Sequence, residues 1–419
     1  MQFSKFGQKM TANAGILSLM DDLGKATLQG SGPMIMMGGG NPGHVHEFQE
    51  ILRQRLSTIC EDPQSFKNLI AAYSAPQGEE GFIESIVQLL QEEYGWNVSS
   101  ENVCLTNGSQ TAFFMLFNLF AGEYPDGSHK KICLPVAPEY IGYADLGIQD
   151  DLFVTTKPTI ELLDGGFFKY HIDFKNLTLD ASIAAICISR PTNPTGNVVT
   201  NEEMEKLAQL AEEHQIPFIV DNAYGVPFPG MIYTEVQPLW NDNMVVCLSL
   251  SKLGLPAVRT GIVVANKNII RALTGMNAIM SLSPNTFGAV LAHHLVASRE
   301  ITRLSKQLIQ PFYRAKMEKA VAIVKNKFKD IPCRIHIPEG AMFLWLWFEG
   351  LPISSLELYR RLKNRGVLVV SGHYFFPGLK EKWSHKQECL RVTYSQNDED
   401  VQRGLAIIAE VVAEAFAEK

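Results

Sequence analysis

The sequence predicts an α/β protein with a mostly parallel, seven-stranded sheet flanked by helices, and a smaller α+β domain. Seven short β-rich runs alternate with helix-length segments between residues 102 and 265. Several runs, among them AAICIS and MVVCLSL, are apolar on both faces, as strands are when helices cover both sides of a sheet. The chain also has 419 residues, whereas single hydrophobic cores stop growing at roughly 250–300 residues. Two domains are therefore expected.

The runs expected to form the sheet follow one another along the first two-thirds of the chain. In order, they are residues 102–106, 131–136, 152–156, 183–189, 216–221, 244–250 and 260–265. Alternation of strands with helices implies parallel pairing through right-handed crossovers. Only about ten residues separate the last two runs, too few for a crossover helix, so the last run is expected to pair antiparallel.

Two helices between these runs have distinct signals. Apolar periodicity predicts helices over 112–120 and 202–214. The second follows Thr200, a good N-cap residue, and Glu203 occupies the capping-box position three residues later. The sequence therefore predicts where this helix begins.

The pattern changes near residue 300 and predicts the smaller domain. A charged helix-like stretch at 303–328 leads into further strand-like runs and helices, namely strands at 333–337, 343–348, 367–370 and 389–394, a helix at 354–364 and a closing helix. Residues 1–45 contain two Gly-rich patches and too few apolar residues to fold alone. We therefore assign residues 46–299 to the larger domain, and residues 1–45 plus 300–419 to the smaller one.

Composition excludes several classes of protein. There are 37 Lys and Arg against 44 Asp and Glu, a net charge of −7, so neither nucleic acid nor an anionic membrane is an expected partner. No apolar stretch approaches the ~20 residues that cross a bilayer, and the N-terminus lacks the apolar core of a signal peptide. The 7 cysteines are scattered without a CxxC pair, which favours reduced thiols in the cytoplasm over disulfides or a metal site.

Polar residues at the ends of the predicted strands carry the candidate chemistry, because ligands of open α/β sheets bind beyond the carboxyl ends of strands. The first strand runs into NGSQTAFFM, a Gly-containing turn that opens a helix. Its backbone N–H groups, with Ser109 and Gln110, would form an anion site suited to a phosphate. A simple strand-to-helix turn has the same pattern, so this signal is weak alone.

The later strand ends add titratable and polar groups. SRPTNPTG places Asn193 in a rigid turn, and VDNAYG places Asp221 at a strand end with Tyr224 close behind. Each has an ordinary alternative, turn chemistry for the first and helix capping for the second. MVVCLSLSK then puts Lys252 at the end of a buried strand, where lysine is out of place unless it is used.

Taken together, these motifs resemble a known family. The segments GSQTA, APEYIGY, NPTG, DNAYG, SLSK and RTG occur in that order, and the chain resembles the fold-type I (class I/II) pyridoxal-phosphate aminotransferases. The resemblance extends from GGGNPG to the strand that holds Arg391. It implies the fold-type I architecture, pyridoxal 5′-phosphate as cofactor and a reversible transamination.

The resemblance implies a role for each residue around the cofactor ring. Lys252 would bond to the cofactor and then carry a proton to and from the substrate Cα. Asp221 would pair with the ring nitrogen, and Asn193 and Tyr224 would hydrogen-bond the ring oxygen. Tyr140, in APEYIGY, matches the aromatic residue that stacks on the ring; a core tyrosine is its alternative.

The resemblance also implies a phosphate site and a shared dimer. The phosphate would be held by Ser109, Gln110, Ser249, Ser251 and Arg259. Tyr73, in AAYSAPQG, corresponds to a tyrosine that reaches the phosphate of the neighbouring subunit. The expected assembly is therefore a homodimer with shared active sites.

Substrate binding is implied for Arg391 and Gly40. Arg391, in CLRVTY, stands mid-strand and would bind the substrate α-carboxylate through two parallel hydrogen bonds. Gly40 would let the backbone approach the substrate; a flexible turn is its alternative. The implied substrates are small or branched neutral amino acids and 2-oxo acids, with L-valine and pyruvate giving 2-oxoisovalerate and L-alanine.

Three alternatives keep the same cofactor residues. The chain would be an aminotransferase of broader neutral or aromatic specificity, because one methylene discriminates by only ~1–3 kcal/mol. It would be a cysteine–sulfur β-lyase, which releases pyruvate and ammonia without a keto-acid acceptor. Or it would be a cofactor-sensing regulator, although only about 45 residues precede the cofactor motifs, too few for an added DNA-binding domain.

Overall fold

The computed structural model describes residues 1–11 and 34–418, which form two main sheets and their surrounding helices. The strands are β1 Ile35–Met36, β2 Val103–Thr106, β3 Gly122–Glu123, β4 His129–Leu134, β5 Phe153–Thr155, β6 Thr159–Leu163, β7 Phe167–His171, β8 Ile183–Ser189, β9 Phe218–Asp221, β10 Met244–Ser249, β11 Gly261–Val264, β12 Cys333–His336, β13 Phe343–Phe348, β14 Val367–Leu368, β15 Val370–Ser371 and β16 Cys389–Thr393.

The helices cover the faces of these sheets. They are α1 Lys5–Met10, α2 His46–Glu61, α3 Pro63–Ile70, α4 Glu80–Tyr94, α5 Ser109–Phe120, α6 Asn201–Glu213, α7 Lys267–Ser281, α8 Phe287–Ala297, α9 Glu300–Leu304, α10 Gln310–Lys327, α11 Ser355–Asn364 and α12 Asp398–Ala417.

The larger sheet confirms the predicted strands. Its order is β2-β11-β10-β9-β8-β4-β3, with β5 paired to β4. Strands β10, β9, β8, β4 and β5 run parallel, and β11 is antiparallel to both β10 and β2, as the short connection before it requires. The two-residue strand β3, which was not predicted, adds an eighth strand at the edge.

Helix layers bury both faces of this sheet, which explains why its strands are apolar throughout. Ile219 of β9 and Val245 of β10 pack in one core cluster with Phe113 of α5. Their chain neighbours Val220 and Val246 belong to the cluster on the opposite face. Since successive side chains of a strand alternate between faces, a strand buried on both sides needs an uninterrupted apolar run.

The second sheet recruits a hairpin from the middle of the chain. Its order is β15-β16-β13-β12-β7-β6. Strand β7 pairs in parallel with β12, placing Phe167 opposite Ile335, and β6 pairs antiparallel with β7. No pattern in the sequence predicts this hairpin, which lies within the segment assigned to the larger domain. The division into residues 46–299 against the rest therefore stays a prediction.

The long helix predicted over 303–328 is interrupted. The chain forms α9, then a π-helical turn at Ser305–Ile309, then α10. Pro311 in the first turn of α10 has no N–H to donate to the carbonyl four residues earlier. The π-helical turn, in which the Gln310 N–H donates to the Ser305 carbonyl, accommodates that missing bond.

The capping box at the start of α6 forms as predicted. The Glu203 N–H donates to Thr200 Oγ1 at 3.1 Å, and the Thr200 N–H donates to Glu203 Oε2 at 2.9 Å. Two N–H groups that would otherwise lack intrahelical acceptors are thus satisfied.

We predict that Thr200→Ala lowers the free energy of unfolding by about 1 kcal/mol, since an N-cap substitution of this kind costs about 0.5–2 kcal/mol. Urea denaturation followed by circular dichroism measures the change. The control is Thr178→Ala, which alters an exposed loop threonine and is expected to leave stability unchanged. Equal midpoints for Thr200→Ala and wild type would contradict the capping role.

Candidate active site

A cavity of about 210 Å³ lies at the carboxyl edge of the larger sheet. The carboxyl ends of β8, β9 and β10 open into it, as does the start of α5. Every predicted site residue lines it except Tyr73 and Arg391: Gly40, Ser109, Gln110, Tyr140, Asn193, Asp221, Tyr224, Ser249, Ser251, Lys252 and Arg259. The fold therefore brings together residues that are far apart in sequence.

Lys252 presents an amine to this cavity. Its Nζ donates to the Gly40 carbonyl at 2.7 Å and lies 5.4 Å from the centre of the Tyr224 ring. Burial lowers the pKa of Lys252 to about 8, with the charge of Arg391 adding to the effect. Because only the neutral amine is a nucleophile, this shift makes Lys252 reactive near neutral pH.

Asp221 ends β9 and is held by two donors. The Tyr143 hydroxyl donates to Asp221 Oδ2 at 2.6 Å, and the Ala223 N–H donates to Oδ1 at 3.0 Å. Burial raises the pKa of Asp221, and the hydrogen bond from Tyr143 opposes this shift. The carboxylate is thus fixed in place and suited to a cation in the cavity.

Tyr143 is a site residue that the sequence does not predict. The motif APEYIGY contains two tyrosines, and only the first, Tyr140, is predicted to contact the cofactor. In the structure, both rings contact each other at right angles, with centroids 5.4 Å apart, and only Tyr143 reaches Asp221. The spacing of two tyrosines in one motif was the available signal, but the sequence alone does not indicate which carboxylate the second one meets.

One end of the cavity is built for an anion. Gly108 has a φ of +85°, and a β-carbon there would lie 2.1 Å from Arg259 Nη2, so glycine lets the guanidinium lie against the start of α5. Arg259 Nη1 is 3.5 Å from Ser251 Oγ, and the Ser251 N–H donates to Ser249 Oγ at 3.1 Å. Hydroxyls, a cation and a helix N-terminus converge here, which fits a phosphate group.

Arg391 lies beside the cavity as a second, deeply buried cation. It is 3% exposed, and its Nη1 and Nη2 donate to Asn193 Oδ1 at 2.8 Å and to the Gly38 carbonyl at 2.7 Å. The rings of Phe343 and Phe375 lie 4.2 and 5.2 Å from its Cζ. Burial lowers its pKa to about 10, so the group remains charged at neutral pH.

The charge of Arg391 is not neutralised within the part of the chain that the structure describes. No carboxylate there forms an ion pair with it, and its Nε has no hydrogen-bond partner. A buried cation without a counter-ion is costly. The arrangement therefore favours an anionic ligand at this end of the site.

Three predicted residues remain to be placed: Tyr224, Gly40 and Tyr73. The Tyr224 hydroxyl is buried without a hydrogen-bond partner and faces the cavity, so it is free to bond a ligand. Gly40 approaches the Lys252 amine through its carbonyl oxygen, and its predicted contact with substrate stays a prediction. Tyr73 is 82% exposed and does not join the cavity of its own chain.

The residues present fit pyridoxal phosphate. Between the two cationic ends stand a reactive amine, a buried carboxylate at a strand end and a hydroxyl without a partner. An aldehyde, a ring nitrogen and a phosphate are the groups that such an arrangement complements. The fold and these residues at its strand ends match the cofactor site that the resemblance to fold-type I aminotransferases implies.

Comparison with known proteins agrees with this assignment. The family described as aminotransferase class I and II matches residues 148–408, and the chain belongs to this family. Valine–pyruvate aminotransferase of Escherichia coli (strain K12) is 49% identical over 418 residues, covering 100% of both chains.

Solved structures extend the comparison. Valine–pyruvate aminotransferase AvtA of Salmonella typhimurium LT2 superimposes with a TM-score of 0.89 at 46% identity, covering 96% of this chain and 100% of that one. An aspartate aminotransferase of Thermus thermophilus superimposes with a TM-score of 0.78 at 20% identity, covering 98% of this chain and 100% of that one. The second likeness concerns the fold alone, and it shows the fold-type I architecture.

We predict that covalent attachment of pyridoxal phosphate to the apoprotein accelerates with pH, with a midpoint near 8, and levels off above it. The reason is that the Lys252 amine loses its proton across this range. Borohydride trapping followed by mass spectrometry measures the rate. Lys252→Arg is the control and should show no specific attachment; a midpoint near ~10.4, the ordinary lysine value, would contradict the shift.

Proposed function

We propose that this chain is a pyridoxal-phosphate-dependent aminotransferase that exchanges amino groups between L-valine and pyruvate. The observation that carries the proposal is the pair of separate cationic ends, Arg259 with the helix N-terminus and Arg391, on either side of the Lys252 amine. One end suits the phosphate of the cofactor and the other suits the α-carboxylate of an amino acid. Identity of 49% over the whole chain to a valine–pyruvate aminotransferase supports the choice of substrates.

When bound, pyridoxal phosphate supplies an aldehyde that bonds to amines and a cationic ring that withdraws electrons from the substrate Cα. Asp221 would keep the ring nitrogen protonated, and Tyr143 holds Asp221 in place. The Asn193 amide oxygen accepts from Arg391, which leaves its NH₂ group free to donate to the ring oxygen. The Tyr224 hydroxyl would donate to the same oxygen.

Arg391 and Lys252 act on the substrate. Arg391 binds the α-carboxylate, and charged hydrogen bonds of this kind contribute roughly 1.5–3 kcal/mol each. Lys252 Nζ would be the base that takes the proton from Cα of the amino acid, and in the reverse half of the exchange the same amine would deliver a proton to Cα of the 2-oxo acid. The lowered pKa of Lys252 suits this exchange, because a general base works best when its pKa is near the working pH.

We predict that L-valine abolishes the visible absorbance band of the bound cofactor and that pyruvate restores it. Each change reports one half of the reaction, in which L-valine gives up its amino group and pyruvate accepts one. Absorbance spectra of the purified protein, supplied with pyridoxal phosphate and recorded before and after each addition, measure both steps.

Lys252→Ala is the control and is expected to give neither change. Absence of any band in the wild type would contradict the choice of cofactor. A band that valine leaves unchanged would contradict only the substrate. Release of pyruvate and ammonia from cysteine without a keto acid would indicate a β-lyase instead.

We further propose that two chains share each active site in a homodimer. Tyr73 is one of several large apolar side chains that the structure leaves exposed. Others are Ile70 at the end of α3, and Ile279, Met280 and Leu282 at the end of α7. Asn277 Nδ2 donates to the Pro76 carbonyl at 2.9 Å, which fixes the Tyr73 loop against α7. An apolar surface of this kind supports pairing with a second copy, whose phosphate the Tyr73 hydroxyl would reach.

We predict that Tyr73→Phe weakens pyridoxal-phosphate binding about tenfold, since it removes one hydrogen bond to a charged group. Fluorescence titration of the apoprotein measures the affinity. Tyr124→Phe is the matched control, because the Tyr124 hydroxyl donates only to the Phe120 carbonyl.

Mixed dimers test whether the contact crosses between subunits. A Lys252→Ala subunit paired with a Tyr73→Phe subunit would form one intact site if Tyr73 serves its neighbour, so full affinity returns. If Tyr73 acted within its own chain, no site would be intact and the weakened affinity would remain.

A cytoplasmic location completes the proposal. The cysteines of the chain are all free thiols, which suits a reducing compartment. Among residues 1–11 and 34–418, no helix combines the length and apolarity needed to cross a bilayer.

A further inference from the structure

One buried carboxyl at the site has no role in the reaction described above. Glu139 is 0% exposed and precedes Tyr140, which lines the cavity. Its Oε1 accepts the Ser189 N–H at 2.8 Å, and its Oε2 accepts the Ser189 hydroxyl at 2.6 Å and the Tyr140 N–H at 3.2 Å. Three donors thus converge on a single side chain.

The backbone of Glu139 also forms a hydrogen bond to the segment that packs against Arg391. Its N–H donates to the Phe375 carbonyl at 2.8 Å. Phe375 is fully buried, and its ring lies against Arg391 on one side and perpendicular to Trp345 on the other, 5.6 Å between centroids. Glu139 therefore connects the larger sheet to the segment that packs on Arg391.

Ser189 links Glu139 to Asp221, the residue that is proposed to pair with the ring nitrogen. Ser189 is the last residue of β8, and it stands opposite Asp221 in the pairing of β8 with β9. The chain then continues through the turn that holds Asn193. Through Ser189 and Tyr140, the Glu139 carboxyl fixes the end of β8 and the loop that follows β4, both of which border the cavity.

The carboxyl is satisfied in either protonation state. Burial raises the pKa of Glu139 to about 8 and the nearby charge of Asp221 adds to this, while the Ser189 hydrogen bonds oppose it. The groups that face it are the Ser189 hydroxyl and N–H, the Tyr140 N–H and, at longer range, Asp221, Tyr143 and Cys187. A serine hydroxyl donates to a carboxylate and accepts from a carboxylic acid. Glutamine replaces one of the two carboxyl oxygens with an NH₂ group, which can donate to the Ser189 hydroxyl but cannot accept from a backbone N–H, so it keeps only part of the contacts of Glu139.

We propose that Glu139 is a positioning residue of the transamination, which holds Tyr140 against the cofactor ring and keeps Phe375 packed on Arg391. It touches neither cofactor nor substrate. It acts by keeping the ring and the carboxylate-binding guanidinium at a fixed separation, so that one bound amino acid reaches both. The inference rests on the proposed function, because it gives Tyr140 and Arg391 their roles in binding cofactor and substrate.

Truncation of Glu139 has a definite consequence. Glu139→Ala leaves the Ser189 and Tyr140 N–H groups buried without acceptors, and the backbone must shift to satisfy them. A shift at Tyr140 changes the orientation of the ring that stacks on it. A shift at residue 139 is transmitted to Phe375 through the backbone hydrogen bond, and so to Arg391.

Three variants and two readouts test this. Glu139→Ala is compared with Glu139→Gln and with Ser189→Ala, using the visible circular dichroism per bound pyridoxal phosphate and the KM for L-valine. The dichroism reports how rigidly the protein holds an achiral cofactor and does not depend on turnover. We expect Glu139→Ala to lose most of this signal and to raise KM about tenfold. Glu139→Gln keeps one acceptor and a contact with the Ser189 hydroxyl but leaves one backbone N–H without an acceptor, so we expect it to give an intermediate loss of signal and a KM raised about threefold.

Ser189→Ala keeps the experiment decisive if Glu139→Ala does not fold. It removes one hydroxyl and should give a smaller change of the same kind in both readouts. Glu388→Ala is the control, because the Glu388 carboxylate accepts from Trp347 Nε1 at 2.8 Å away from the cavity; it should alter neither readout.

The outcomes separate the two proposals. Unchanged dichroism and KM in the folded Glu139→Ala protein, or in Ser189→Ala where the former is insoluble, would overturn the role of Glu139 and leave the aminotransferase intact. A wild-type protein that binds pyridoxal phosphate but does not respond to amino acids would overturn the proposed function, and the role of Glu139 with it.

Discussion

The placement of the Lys252 amine between two guanidinium groups is the constraint on which the rest of the site depends. Burial and the charges of Arg391 and Arg259 both disfavour a protonated lysine, while Asp221 favours it. As a result, the pKa of Lys252 is low enough for part of the amine to be neutral, and therefore reactive, near neutral pH. Each of the two arginines also needs an anion to balance its charge. A ligand with an anionic group at each end meets both needs, and its reacting atoms then lie between the two arginines.

Parallel strands make this arrangement possible. The carboxyl ends of β8, β9 and β10 emerge at one edge of the larger sheet, so residues dozens of positions apart become neighbours without any long loop. The protein then adds a second cation from β16 of the other sheet. A ligand with charges at both ends consequently bridges the two sheets, and Glu139 provides a protein bridge at the same place.

Much of the larger sheet and most of the cavity lining could be predicted from sequence, for a physical reason. Strands buried on both faces are continuously apolar, and Lys252 or Asp221 at the end of such a strand stands out. Tyr143 and Glu139 could not be assigned in the same way. Their chemistry depends on which side chain of another strand they meet, and no local pattern encodes that contact. The hairpin of β6 and β7 could not be predicted for a related reason. The β6 sequence TIELL is largely exposed, and β12, the partner of β7, lies far along the chain.

That hairpin has a consequence for how the protein is made. During synthesis, β7 leaves the ribosome long before β12, and about 160 residues of chain must follow before the two can pair. At the usual rate of translation this interval is roughly ten to thirty seconds. Throughout it, β7 has an open hydrogen-bonding edge, which is the kind of surface that pairs with other chains. The second sheet therefore cannot be completed until β12 at residues 333–336 has been made, so its assembly comes late in synthesis.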